Sequence, residues 1–179
     1  MKGVVTFRQR TKKGFNETPN PSKIVAKGYG DAGLISTASD YATFMKVFLN
    51  GGKTVSGDCI LRLDLVAQMG ENHIGDLELW LQVSTDPTLA KDFPQGAGQD
   101  RWGLKFQIAT QNKNGRRAKG SLSWAGLFNT KFWIDPQNGI AATLLMQYLP
   151  FDDDSNLRVL DLFEAAVYQS QTASGLHQF

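Results

Sequence analysis

Short connections between alternating segments constrain this chain more than any other feature. From Trp102 the apolar positions recur every second residue, with Leu104, Phe106 and Ile108 separated by Lys105 and Gln107. That is the pattern of a half-buried strand. Asn114-Gly115 follows, a dipeptide that favours a type I′ hairpin turn. The chain then runs back over 117–125, and the segments 128–135 (FNTKFWID) and 139–148 (GIAATLLMQY) flank a second turn at Pro136-Gln137-Asn138. Connections this short force neighbouring strands to run antiparallel. Residues 102–149 therefore read as an antiparallel sheet.

Helices are available to cover it. Thr37-Ala38-Ser39-Asp40 matches a capping box, in which the threonine hydroxyl serves an orphan amide and the acidic residue reaches back. Tyr41, Phe44, Met45 and Phe48 follow at helical spacing and Asn50-Gly51-Gly52 supplies a left-handed stop, which predicts a helix over 38–49. A weaker pattern predicts a second helix from Leu61 to Met69. A last one starts at about Ser155, behind Asp152-Asp153-Asp154, whose charge suits a helix N-terminus. Leu157, Leu160, Phe163, Val167 and Tyr168 form its apolar stripe. Residues 3–10 read as a short strand, Lys12-Lys13-Gly14 as a turn, and 15–30 as a surface loop. Residues 82–101 show no periodicity and contain Pro87, Pro94, Gly96 and Gly98; a stretch like this is either a lid or binding loop or a disordered insertion. The fold class is α+β, in one partial domain divided at 1–36, 37–81, 82–101, 102–149 and 155–170.

The run Ile140 to Met146 is apolar at nearly every position, as in a strand covered on both faces. Such a strand ordinarily has neighbours at both edges. Here only the weak candidate at 3–10 is free to pair on its second side, and an open apolar edge invites association. The expected partners are a second copy of the chain or a complementary fragment.

Composition narrows the function classes. With 41% hydrophobic and 20% charged residues among 179, the chain is an ordinary globular sequence. A net charge of +2 is too small to point to nucleic acid. The densest basic run, Lys113, Arg116, Arg117 and Lys119, surrounds the Asn114-Gly115 turn; a solvated turn is the expected reading and a phosphate contact the lesser one. No apolar run reaches the ~18 residues of a membrane helix, and a leader sequence is not evident. The single cysteine, Cys59, excludes an internal disulfide. A cytoplasmic location is expected, without membrane, cofactor or metal.

A search for nucleophiles is mostly negative. Of the two histidines, His177 lies near the end and His73 sits in a polar helix-to-loop stretch. No G-x-S-x-G elbow occurs. Gly28, Gly30 and Gly33 spell G-x-G-x-x-G, but no strand leads into them and no βαβ unit follows. No serine has a lysine three residues on; Thr43–Lys46 and Thr88–Lys91 have the spacing, the first inside a helical pattern and the second in a loop. Asp152–Asp154 lacks the alternation of a calcium loop.

The order of segments, however, is distinctive. "GDAGLISTASDYATFMKVFLNGG" (30–52), "ILRLDLVAQMGENHIGDL" (60–77), "RWGLKFQI" (101–108), "GSLSWAGLFNTKFWIDPQNG" (120–139) and "LMQYLPFDD" (145–153) resemble the C-terminal part of serine β-lactamase-related hydrolases. The branch most similar is the class C-like esterases, or family VIII carboxylesterases. The resemblance implies the β-lactamase/transpeptidase-like fold, with an antiparallel sheet that N-terminal strands complete. It implies a nucleophile in Ser-x-x-Lys and a tyrosine in Tyr-x-Asn, neither of which this sequence contains. The third motif of the family is Trp-x-Gly in the esterase branch and corresponds here to Trp124-Ala125-Gly126. The backbone N–H of Leu127 corresponds to one of two oxyanion donors.

Residue chemistry agrees in part. A strand amide aimed at an oxyanion needs close backbone approach, which Gly126 permits. An indole at Trp124 in place of a cation favours an apolar ester over a lactam carboxylate, although Trp124 also reads as a core aromatic. Ser121 and Ser123 have no base nearby and read as strand residues. Three functions are then expected: a segment without catalysis of its own, serving binding or assembly; half of a serine esterase completed by another chain; or a small-molecule-binding protein using Trp124, Gly126 and 82–101, with an ester or lactam-like ligand.

Overall fold

A computed structural model describes residues 5–19 and 34–173. The elements are β1 (Phe7–Thr11), β2 (Gly14–Thr18), α1 (Ala38–Leu49), α2 (Leu63–Met69), β3 (Arg101–Trp102), β4 (Gln107–Ile108), β5 (Leu122–Gly126), β6 (Thr130–Asp135), β7 (Ile140–Leu144), β8 (Tyr148–Leu149) and α3 (Asp154–Ala173). Strands β3 to β7 form one antiparallel sheet in sequence order, so the α+β meander stands.

Helix α1 begins as its sequence requires. The Thr37 hydroxyl accepts from the Asp40 amide at 3.1 Å and donates to the Asp40 carboxylate at 2.9 Å. The acid therefore reaches the threonine side chain. The helix ends as Gly51 and Gly52 take φ of +62° and +91°, and a Cβ on Gly52 would overlap the Leu61 carbonyl. Met45 and Phe48 bury against Phe106, Ile108, Leu122 and Ile134 on one face of the sheet, with Val66 and Met69 of α2 beside them. On the other face Leu160, Phe163 and Val167 of α3 pack on Trp133 and Ala142. The sheet is a layer between helices.

Strand β7 lies between both layers: Ala141 packs with the α1 cluster and Ala142 and Leu144 with the α3 cluster. Its apolar run is thereby explained. Its second edge takes a different course from expectation. Strand β1 pairs in parallel with β8, through Arg8 with Tyr148 and Gln9 with Leu149, and leaves β7 last in its sheet among the described residues.

Other differences have local causes. Residues 14–18 are not loop but the return strand of a hairpin with β1; the part of 15–30 from Asn20 on lies outside the described residues, as do Gly28, Gly30, Gly33 and His177. The alternation at 102–108 is two strands of two residues, folded back so that Gly103 N donates to Phe106 O at 2.8 Å. Gly103 backs onto the Met69 carbonyl so closely that a Cβ would overlap it, and the chain turns there. At Asn114-Gly115 only the glycine takes positive φ, +64°, so the turn is not type I′. The two arginines of the basic run beside it are ion-paired, Arg117 with Glu164 at 2.9 Å and Arg116 with Asp161 at 3.1 Å, both acids on α3, while Lys113 and Lys119 are exposed.

The segment 82–101 is neither periodic nor loose. Gln82 and Phe93 form a bridge, and Lys91 N donates to Phe151 O at 2.8 Å while Phe151 N donates to Leu89 O at 2.9 Å. The Gln107 side chain holds Asp100 at 2.7 Å and the Gln95 carbonyl at 3.1 Å. No helix among the described residues is long and apolar enough to cross a membrane.

Candidate active site

Strand β5 carries the residues expected at the third-motif position, in register with β6: Trp124 opposes Phe132, Ala125 opposes Lys131, and Gly126 opposes Thr130. A Cβ at Gly126 would overlap the Thr130 hydroxyl, so the strand end has no room for a larger residue unless that hydroxyl moves. Leu127, Phe128 and Asn129 then form the hairpin tip. Asn129 N donates to Gly126 O at 2.9 Å and Asn129 takes φ +66°, the three-residue loop in which a type I turn ends in a left-handed residue. Leu127, 50% exposed, is the first central residue of that turn, and its N–H takes no part in the closing bond.

Trp124 meets Trp102 edge-on, with centroids 4.5 Å apart, and Phe93 edge-on at 5.6 Å; Phe93 in turn stacks on Phe151 at 5.6 Å. The two readings of Trp124 are thus compatible. One side of the indole belongs to an aromatic cluster, and the residue also lines a cavity of about 10 Å³ with Gln95, Gln107, Ser123 and Lys131. That space suits one water, far below the ~300 Å³ of a small ligand pocket.

Under the cluster lies a group that sequence reasoning missed. The Lys131 ammonium pairs with Asp152 and stands 4.0 Å from the Phe151 ring centroid and 5.2 Å from that of Phe93. Burial pulls the lysine below its ordinary value, against the attraction of Asp152, and pushes the Asp152 carboxyl up, against the attraction of Lys131. The available signal was register: Lys131 is two residues from Trp133, so it shares the inward face of β6.

Apart from Ser121, the remaining candidates have structural partners. Ser121 is fully buried and its hydroxyl has no hydrogen-bond partner among the described residues. The His73 Nε2 lies 2.7 Å from the Gln68 carbonyl at the end of α2. The Thr43 hydroxyl donates to Ser39 O at 3.0 Å, and that of Thr88 to Asp86 at 2.6 Å; neither contacts its spaced lysine. The three aspartates have separate tasks: Asp152 pairs with Lys131, Asp153 caps α3 by accepting from Asn156 N at 2.8 Å, and Asp154 lies in its first turn. No cluster of three metal-ligating residues exists among the described residues.

What the arrangement offers is a strand end, an indole and a hairpin amide, with no activated hydroxyl beside them among the described residues. Comparison with known proteins gives this a context. The structure matches simvastatin synthase (LovD) of Aspergillus terreus, in its LovD6 mutant, with a TM-score of 0.73 at 17% identity, over 94% of this chain and 43% of that one. It matches EstCE1, "a hydrolase with promiscuous acyltransferase activity", with a TM-score of 0.60 at 18% identity, over 87% of this chain and 42% of that one. Among curated sequences, the uncharacterized protein MT1414 of Mycobacterium tuberculosis is 28% identical over 123 residues, which is 66% of this chain and 28% of the relative. The chain thus spans less than a third of that relative and about two fifths of the solved chains. The structural likenesses show the β-lactamase/transpeptidase-like fold. The Beta-lactamase family model matches residues 5–166, and this chain belongs to that family.

Proposed function

We propose that this chain forms the substrate-facing wall of a β-lactamase-like hydrolase or acyltransferase acting on esters, and that by itself it forms no acyl-enzyme. The observation that carries the reading is the end of β5. Trp124-Ala125-Gly126 leads into a turn whose first amide, that of Leu127, is not consumed by the turn. No serine of the sequence has a lysine three residues on, and no tyrosine has an asparagine two residues on. A hydroxyl without an activating base is a weak nucleophile. The indole at Trp124 supports an apolar ester rather than a lactam carboxylate as the group held there. The likeness to an acyltransferase and a hydrolase supports the reaction class.

A second reading is favoured by β7. A strand covered on both faces with an open edge suits pairing with another strand, from a second copy or from a complementary part carrying Ser-x-x-Lys. In the latter case the assembled pair is an active serine esterase. Binding or assembly without catalysis remains the function of the chain alone.

The test is labelling by a fluorophosphonate probe together with hydrolysis of p-nitrophenyl acetate and butyrate. The 179-residue chain is expected to give neither, and its mixture with the Ser-x-x-Lys portion of a family member to give both. Covalent label on any residue of the chain alone would overturn the reading.

A further inference from the structure

An amide can stabilise developing negative charge only if its direction is set before the reaction. Leu127 sits half exposed at a hairpin tip. Two residues on, Asn129 is fully buried. Its Nδ2 donates to Tyr148 O at 2.9 Å and Pro150 O at 3.0 Å, and its Oδ1 accepts from Asp152 N at 2.9 Å. Its own N–H closes the turn on Gly126 O. One side chain therefore fastens the tip to the 148–152 segment at three points.

The partner is equally unusual. Asn129 and Asp152 are the non-glycine residues with positive φ among the described ones, at +66° and +55°, and they are hydrogen-bonded to each other. Asp152 returns to the same hairpin through its ion pair with Lys131. Asn129, Asp152 and Lys131 so form a closed ring around the base of the turn. Two unfavourable backbone conformations joined by a buried bond persist only where the surroundings over-determine them.

We propose that Asn129 is a positioning residue for the Leu127 amide, acting through the hairpin tip rather than by touching substrate. The proposal rests on the site reading given above. Backbone ¹⁵N relaxation on the 179-residue chain tests its first half. The Leu127 amide should be as ordered as β5, with an order parameter of about 0.85; a value below about 0.6 overturns the proposal without any variant. Asn129→Gly keeps access to the left-handed backbone and removes the side-chain bonds. It should lower order at Leu127 and Phe128 while amides of α1 stay as they were; unchanged order at Leu127 overturns the proposal.

Activity of the chain completed by a Ser-x-x-Lys portion tests the second half. Because loss of an oxyanion donor costs roughly 100-fold or more in kcat, Asn129→Gly should lower kcat by about tenfold or more with KM nearly constant. A rise in KM at unchanged kcat counts against positioning. If the wild-type mixture is inactive, the site reading fails and takes the positioning role with it; if the wild type is active and Asn129→Gly equals it, this proposal alone fails.

Discussion

Lys131 and Asp152 form an ion pair closed off from solvent, with side chains 4% and 0% exposed. The ammonium belongs to β6 beside Ala125 of the third motif, and the carboxylate to the turn before α3. Phe93 and Phe151 shield the cation. The pair thus joins the 82–101 segment, the central hairpin and the last helix at one point.

Removing one partner leaves the other charged and unpaired in a site with little water, which in comparable pairs costs about 3–5 kcal/mol. Lys131→Met is expected to lower the free energy of unfolding in urea titrations by an amount in that range. Asp152→Asn added to it should recover part of the loss, because the stranded carboxylate is gone. Equal stability of wild type and Lys131→Met would show that the pair does not carry this load.

Glu164 contributes to the response to acid. Burial pushes its carboxyl up, but the Arg117 guanidinium and amide and the nearby Lys113 outweigh that, and it is held below its ordinary value. As pH falls, the unfolded chain therefore takes up this proton first. The stability Glu164 adds is complete above the ordinary value of 4.5 and is lost as pH drops through the lower folded value. Glu164→Gln should cost about 2 kcal/mol at neutral pH and flatten the acid limb in thermal melts at pH 3 to 6. A variant that keeps the wild-type acid limb would remove Glu164 from the account.

Among the described residues β7 is the last strand of its sheet, and this edge predicts association. Light scattering of the 179-residue chain should show mass rising with concentration, and hydrogen exchange at Ile140–Leu144 should slow in parallel while β5 and β6 stay constant. A monomer over a wide concentration range would remove the argument from the edge.

Gly126 and Thr130 should behave as a coupled pair. Gly126→Ala forces the threonine hydroxyl out of its rotamer, and β-branched side chains resist such a change; a cost of about 1–2 kcal/mol is expected. Thr130→Ala should relieve most of it in a double-mutant cycle. Additive losses would mean that the two side chains do not share that space.

Much was legible without coordinates because it depends on neighbours in sequence. The α1 cap needs only Thr37 and Asp40, three residues apart, and its stop needs Gly51 and Gly52. The meander follows from connections too short for any other topology. Trp124-Ala125-Gly126 ends β5 and leads into the turn at Leu127, and a strand end and its turn are contiguous in the chain. Local patterns also misled where a distant group intervened. The alternation at 102–108 hides a reversal, which the Met69 carbonyl imposes on Gly103. Arg116 and Arg117 look solvated until α3 arrives with Asp161 and Glu164.

Bond geometry and side-chain volume act over a few residues, so the helices and the hairpins of β5 to β7 resided in the sequence alone. Which charges are buried, which strand lies open and what holds Leu127 depend on partners remote in the chain, such as Lys131 with Asp152 or Asn129 with Pro150. Desolvation and long-range pairing exist only after the chain has closed on itself, so only the tertiary structure decided them.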